Sequence, residues 1–103
     1  MNDDGDMAGR AVRAIAIHGR VQGVGFRAWF RTRAVALGLS GFVRNRAGGT
    51  VEAVMAGTAG SIAQMIEEAR RGPPGARVER VEALGLHPDD LSLGTGFEIR
   101  PTR

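Results

Sequence analysis

Apolar residues recur along this chain with two different periods, and the switches between them mark out its elements. From Val12 to His18 the apolar Ile15 and Ile17 alternate with small residues and a glycine follows, a period of two that predicts a strand with at least one buried face. Between Gly25 and Leu37 the period lengthens. Phe26, Phe30, Ala34 and Leu37 fall at intervals of four, four and three, so a helix would gather them on one side, and Gly38 stands where glycine is favoured just past a helix end. Ser40 to Arg44 reads as a short strand around Phe42, and Arg46 to Gly49 as a turn. Thr50 to Ala56 follows as a strand whose Val51, Ala53 and Met55 share a face, completing an antiparallel hairpin.

A second helix is predicted from Thr58 or Ser61 to Arg71, with Ile62, Met65, Ile66 and Ala69 on one side. Two starts are open: Thr58 as the cap, or Ser61 with Gln64 in a capping box. Gly72-Pro73-Pro74-Gly75 ends the helix. From Ala76 to Leu86 the apolar Val78, Val81 and Leu84 lie three apart, but the preceding prolines and the β-branched residues favour a bulged strand. Phe97 and Ile99 alternate with Glu98 and Arg100 in a short terminal strand. Residues 1–9 read as a flexible acidic tail and 10–103 as one domain. The order strand, helix, strand, strand, helix, strand predicts an α+β fold, the ferredoxin-like split βαβ arrangement (βαββαβ). Two helices would cover one face of an antiparallel sheet, with the short C-terminal strand closing an edge. That architecture hosts enzymes, metal carriers and RNA binders, so function has to come from particular residues.

Composition removes whole classes. The chain of 103 residues has no cysteine, which excludes disulfides, thiolate metal sites, iron–sulfur clusters and a thiol nucleophile; His18 and His87 alone do not make a metal site. No apolar run approaches a membrane span, and the start Met1-Asn2-Asp3-Asp4-Gly5-Asp6 is acidic where a signal peptide is basic and then apolar, so a cytoplasmic protein is expected. Every basic side chain is arginine, and three of the eleven acids sit in the first six residues, so the domain is more basic than the formal charge of +3. Such a field draws acidic substrates or nucleic acid without choosing between them.

The stretch Gly19-Arg20-Val21-Gln22-Gly23-Val24-Gly25-Phe26-Arg27 joins the first strand to the first helix, and it narrows the choice. Glycines at such a junction by themselves only permit a tight turn. Here three glycines let the backbone of the stretch fold tightly and present N–H groups to one point, reinforced by the positive end of the helix. Arg27, in the first turn, can clasp a phosphate or carboxylate through two parallel hydrogen bonds. A small dianion is the expected guest. The loop lacks the Lys-Ser or Lys-Thr of a Walker loop and the final glycine of a dinucleotide fingerprint, so it does not call for a nucleotide cofactor.

Asn45 is the second candidate. In the split βαβ topology the first and third strands are central neighbours and the second flanks the third, so the end of the second strand approaches the loop. An amide can orient a water but cannot take its proton. No His, Asp or Glu lies in or beside the loop, and His18 precedes it as a solvent-facing strand residue. A site so poor in bases suits a loose phosphoryl-transfer transition state with a good leaving group, such as the carboxylate of a carboxylic–phosphoric anhydride.

The run from His18 to Arg27, with Gly41-Phe42-Val43-Arg44-Asn45, Gly49, Thr50-Val51 and Gly57, resembles the paired signatures of acylphosphatases. The likeness extends over nearly the whole chain from Arg10. It implies hydrolysis of acyl phosphates to a carboxylate and inorganic phosphate, without metal or cofactor. Arg27 and the backbone N–H groups of Gln22 to Arg27 would bind the phosphoryl group, and Asn45 would hold the attacking water. Gly48, where many members have Asp, and Phe30, where a polar residue is frequent, depart from the pattern, and the acidic leader is extra. The competing class is a non-catalytic module: a ferredoxin-like domain binding phosphate or RNA, or an assembly domain of a larger protein. The first and third strands carry no aromatic residues for stacking bases, and an assembly partner would extend well past the C-terminus, so the enzyme is the better reading and a monomer without nucleic acid or membrane contacts is expected.

Overall fold

A computed structural model describes residues 10–91 and 93–103; the expected tail, residues 1–9, lies outside the described residues. Five strands form one sheet: β1 (Arg10–Arg20), β2 (Ser40–Asn45), β3 (Val51–Thr58), β4 (Arg77–Leu84) and β5 (Phe97–Ile99), in the order β4-β1-β3-β2-β5. The first four run antiparallel to their neighbours, and β5 adds to β2 in parallel, which makes the sheet mixed. Helices α1 (Phe26–Ala36) and α2 (Ala59–Arg71) cover one face. The expected α+β split βαβ arrangement is the one observed. Strand β1 is longer than its apolar alternation because it has a partner on each side, Arg10 facing Thr58 on β3 and Arg20 facing Arg77 on β4.

Between sheet and helices lies the main core, where Ile17, Phe30, Ala34, Val43, Val51, Ala53, Met55, Met65 and Ala69 are all 0% exposed. The expected helix faces are correct. Helix α1 stops through a Schellman turn, with Leu39 N donating to Ala34 O at 2.9 Å, Gly38 N donating to Val35 O at 3.0 Å, and Gly38 left-handed at φ 75°. Helix α2 takes the Thr58 start: Thr58 Oγ1 accepts from Ser61 N at 3.1 Å. The Ser61–Gln64 box does not form, because Gln64 Nε2 donates to Glu68 Oε2 at 3.0 Å.

The three-residue spacing in β4 has two causes. Register shifts between His18 and Gly19 leave Glu79 without a partner, so a bulge brings Val78 and Val81 to the same helix-side face. Leu84 faces the other way and joins Ala14, Phe42, Val54 and Leu93 in a small second cluster on the sheet's open face. There the Arg44 and Arg100 guanidinium carbons sit 5.1 and 3.9 Å from the centre of the Phe42 ring. The side chains of β2 also explain a tight glycine. A Cβ on Gly41, at φ +135°, would lie 1.9 Å from the Val54 carbonyl oxygen of the neighbouring strand.

Glu68 is the buried charge that the hydrophobic pattern conceals. It sits between the helices at 7% exposure, where Arg33 grips it with Nε at 2.5 Å from Oε1 and NH2 at 3.1 Å from Oε2. The hydrogen bonds from Arg33, then that from Gln64, hold its carboxyl down from the ordinary 4.5 to about 2. A nearby surface pair joins Glu67 to Arg70 at 3.1 Å.

Two stability predictions follow from these contacts. Gly41→Ala is strained in backbone and in space, so it should cost about 2 kcal/mol or more in urea unfolding, whereas Gly48→Ala, exposed with nothing within 4 Å of its added Cβ, should stay within about 0.5 kcal/mol. For Glu68, the lowered folded pKa means the unfolded chain takes up the proton first. Its contribution is therefore present above the ordinary 4.5 and lost as pH falls toward about 2. The stability gap between wild type and Glu68→Gln, read from denaturant midpoints, should shrink across that window.

Candidate functional site

At the end of β1 the chain leaves the sheet, makes a short loop and enters α1. Val21, 1% exposed, anchors the loop in the core, while Gly23 (φ 75°) and Gly25 (φ 77°, ψ 19°) take left-handed turns that a side chain would resist. Gly25 is the helix N-cap and offers no side-chain oxygen to the first turn. The first bond into the helix is Trp29 N to Gly25 O at 3.1 Å, so among the described residues the amides from Gln22 to Ala28 donate to no backbone carbonyl. Those amides and the helix dipole favour an anion.

A cleft of about 220 Å³ opens at this point. Its wall is built from Gly23, Gly25, Phe26 and Arg27 on one side and from Asn45 and Ile99 on the other, with Val21 and Ala28 completing it. Arg27 is half-buried and has no ion pair or side-chain hydrogen bond among the described residues. Asn45 ends β2, and its Oδ1 is buried without a hydrogen-bond partner. An unpaired buried acceptor costs about 1–3 kcal/mol, which makes this oxygen a place for a donor. The backbone around it is fixed by the last residue of the chain: Arg103 N donates to Asn45 O at 3.1 Å, and Ala47 N donates to Arg103 O at 2.8 Å.

Four of the expected loop residues, Gly23, Gly25, Phe26 and Arg27, line one cleft with Asn45; Gln22 and Val24 do not line it. Val24 packs against the core instead. The Gln22 side chain does something the sequence does not reveal. Its Nε2 donates to both Arg46 O and Thr50 O, each at 2.9 Å, tying the loop to the base of the β2–β3 hairpin. No local signal marks this contact, because its partners lie 24 and 28 residues away. Ile99 was also not legible as a cleft residue; only the pairing of β5 with β2 brings it there.

Other polar and aromatic side chains near these elements fall outside the cleft. His18 is half-buried, with Nε2 2.7 Å from Glu82 Oε1 on β4. Arg44 is paired: Nε lies 2.7 Å from Glu52 Oε1 directly across the hairpin, with Arg46 3.6 Å from the same oxygen. Trp29 packs edge-on to Phe26, with centroids 5.4 Å apart. No described residue lining the cleft carries a carboxylate or imidazole. Amides, a guanidinium and a carboxamide suit an anion and offer a metal ion little. Among the described residues no three His, Cys, Asp or Glu side chains gather elsewhere either.

Comparison with known proteins identifies the family of this chain. The family model for acylphosphatase matches residues 13–99. An acylphosphatase of Azorhizobium caulinodans is 55% identical over 89 residues, covering 85% of this chain and 92% of that protein. One of Bradyrhizobium diazoefficiens is 46% identical over 96 residues, covering 90% and 97% respectively. The solved structure of an acylphosphatase from Coxiella burnetii superimposes with a TM-score of 0.79 at 31% identity, over 97% of this chain and all of the other. The chain belongs to the acylphosphatase family.

Proposed function

We propose that this protein hydrolyses acyl phosphates to a carboxylate and inorganic phosphate, as a hydrolase acting on acid anhydrides. One observation carries the reading: a free guanidinium, Arg27, and an orphaned buried acceptor, Asn45 Oδ1, line one cleft at the open end of a helix. The phosphoryl dianion rests on the N–H groups of the Gln22–Arg27 loop, with Arg27 closing over it through charge-assisted bonds. A water donates one O–H to Asn45 Oδ1, which turns a lone pair toward phosphorus. As the new O–P bond forms, the bond from phosphorus to the acyl oxygen breaks, and the electron pair leaves on the carboxylate. That leaving group is weakly basic and needs no proton from the enzyme. The attacking water loses its proton to solvent or to a phosphate oxygen once its bond to phosphorus has formed. Positioning and charge neutralisation supply the catalysis, consistent with a cleft whose described lining has no general base.

In this reading the catalytic unit is residues 10–103, acting as a cytoplasmic monomer on a small molecule. Support for the absence of a nucleic-acid role comes from Phe42, the aromatic on the open face, which is 2% exposed and capped by Arg100 rather than available to stack a base. Among the described residues no helix is long and apolar enough to cross a membrane.

The purified protein should hydrolyse benzoyl phosphate at a rate unchanged by a chelator. Arg27→Ala should lower kcat/KM by about a hundredfold or more and weaken inhibition by inorganic phosphate, since each charge-assisted bond is worth about 1.5–3 kcal/mol. Asn45→Ala should lower kcat by about a hundredfold with KM changed only a few-fold, the pattern of a misplaced nucleophile. Wild-type turnover in both variants would remove these roles. Gln22→Ala should leave the unfolding midpoint within about 1 kcal/mol of wild type yet cut kcat about tenfold, because the loop loses its tie to the hairpin that carries Asn45. Unchanged kcat would show that the backbone alone sets the spacing.

A further inference from the structure

The sheet carries a second cavity on the face that the helices leave open. It measures about 560 Å³, against about 220 Å³ for the cleft, and shares no lining residue with it. Alternation along the strands separates the two. Asn45 and Ile99 face the cleft, while their neighbours Arg44, Arg46 and Arg100 line the opposite cavity together with Arg103 and the buried ring of Phe42. Four guanidiniums stand there against two carboxylates, Glu52 and Asp90, and both carboxylates are already engaged. Glu52 Oε1 lies 2.7 Å from Arg44 Nε and 3.6 Å from Arg46 NH1, and Asp90 Oδ2 accepts from His87 N at 2.8 Å.

Strand pairing sets the arginines in two rows. Val43 lies opposite Ile99, so Arg44 and Arg100 are neighbours. Arg103 N donates to Asn45 O and Arg103 O accepts from Ala47 N, which places Arg103 beside Arg46, two residues beyond Arg44. Extended backbone separates the rows by about 7 Å. In the first row one ring holds both cations, with the Arg100 and Arg44 guanidinium carbons 3.9 and 5.1 Å from the centre of Phe42. Each gives only its Nε to a carboxylate, Arg44 to Glu52 and Arg100 to Glu98 at 3.1 Å. Their terminal N–H groups have no partner among the described residues, unlike Arg33, which gives both Nε and NH2 to Glu68. In the second row the backbone of Arg103 is pinned, while its side chain has no hydrogen bond or ion pair among the described residues. Guanidiniums held in place with open N–H edges are a preorganised receptor for phosphoryl oxygens.

We propose that this cavity binds a short polyphosphate chain, free or carried by a nucleotide, at a site separate from the cleft. A single phosphate group meets one row of guanidiniums. A chain of two or three linked phosphates meets both, and its charge answers the excess of arginine over carboxylate. Nucleic acid fits less well, because Phe42 is 2% exposed beneath Arg100 and offers no face on which a base could stack. The site stands independently of the hydrolase reading, since it uses none of the cleft residues.

The test is calorimetric titration with tripolyphosphate at low salt, where exposed charges are least screened. In Arg27→Ala, whose cleft has lost its guanidinium, one tripolyphosphate should still bind per chain. Adding Arg46→Gln and Arg103→Gln to that background should weaken binding about tenfold or more, through lost charge-assisted bonds. Adding Arg13→Gln and Arg70→Gln instead removes the same charge from exposed positions outside the cavity and should change binding by no more than about twofold. Inorganic phosphate should bind the Arg27→Ala protein at least about tenfold more weakly than tripolyphosphate, because it reaches one row only. ATP bound no more tightly than tripolyphosphate assigns the cavity to the bare chain, and ATP bound more tightly assigns it to a nucleotide. Loss of binding in Arg27→Ala places the polyphosphate in the cleft and overturns the proposal. Equal weakening by the two pairs of substitutions reduces the effect to net charge and overturns it as well, as does tighter binding of a short single-stranded RNA than of either probe.

Discussion

Val51 is the residue through which the two halves of the site are measured against each other. It pairs with Ile17 on β1 and with Asn45 on β2, so a single register at one fully buried position sets how far the end of β2 stands from the loop that follows β1. A slip of one residue on either side would turn Asn45 or Ile17 to the opposite face, away from the helices. The core enforces the register, since Ile17, Val43, Val51, Ala53 and Met55 must all lie beneath α1 and α2 at once. The same apolar packing that stabilises the fold thus fixes the span across which Arg27 and Asn45 face one cleft.

Further ties refine that spacing. The Gln22 side chain joins the loop to the hairpin through two carbonyls, and Arg103 joins the chain's last residue to the backbone on either side of Arg46. Each tie is worth only about 1 kcal/mol to stability. In the proposed mechanism their value is geometric, because a transition state built on positioning loses rate steeply when reacting groups shift by an ångström. Among the described residues the cleft also keeps two groups without partners, Arg27 and Asn45 Oδ1, whereas Arg44, Arg33 and Glu68 are all paired. Paired charges hold the fold together, and these two unpaired groups gather at the cleft.

Much of this was legible from residues. The periods of two and 3.6 placed both helices and all five strands, with edges within a few residues, because apolar alternation is imposed by burial and glycine by backbone hand. The place of Arg27 at the cleft was legible because it stands in sequence beside the loop glycines. Asn45 became legible only through the topology, which brings the end of β2 to the loop. What was obscured has a physical cause in each case. The bulge at Glu79 hid the face of Val78 and Val81 behind a helical interval. Thr58 and Ser61 were both plausible caps until Gln64 turned to Glu68 rather than back to the helix start. Nothing local marks Glu68 as buried, because burial of a carboxylate depends on a partner, here 35 residues away.

The sequence by itself determined the element order, the split βαβ fold and the tight glycine loop between β1 and α1, and it set the donors and acceptors that a cysteine-free, base-poor chain can offer a substrate. These follow from local rules: side-chain periodicity, glycine's access to left-handed backbone, and the donors and acceptors each residue type carries. The tertiary structure decided the Gln22 tie, the Glu68–Arg33 clasp, the burial of the Asn45 oxygen and the arrival of Ile99 at the cleft. Each of these needs chain segments far apart in sequence to meet in one register, and no local pattern encodes a contact whose two halves are set by the packing of the whole sheet.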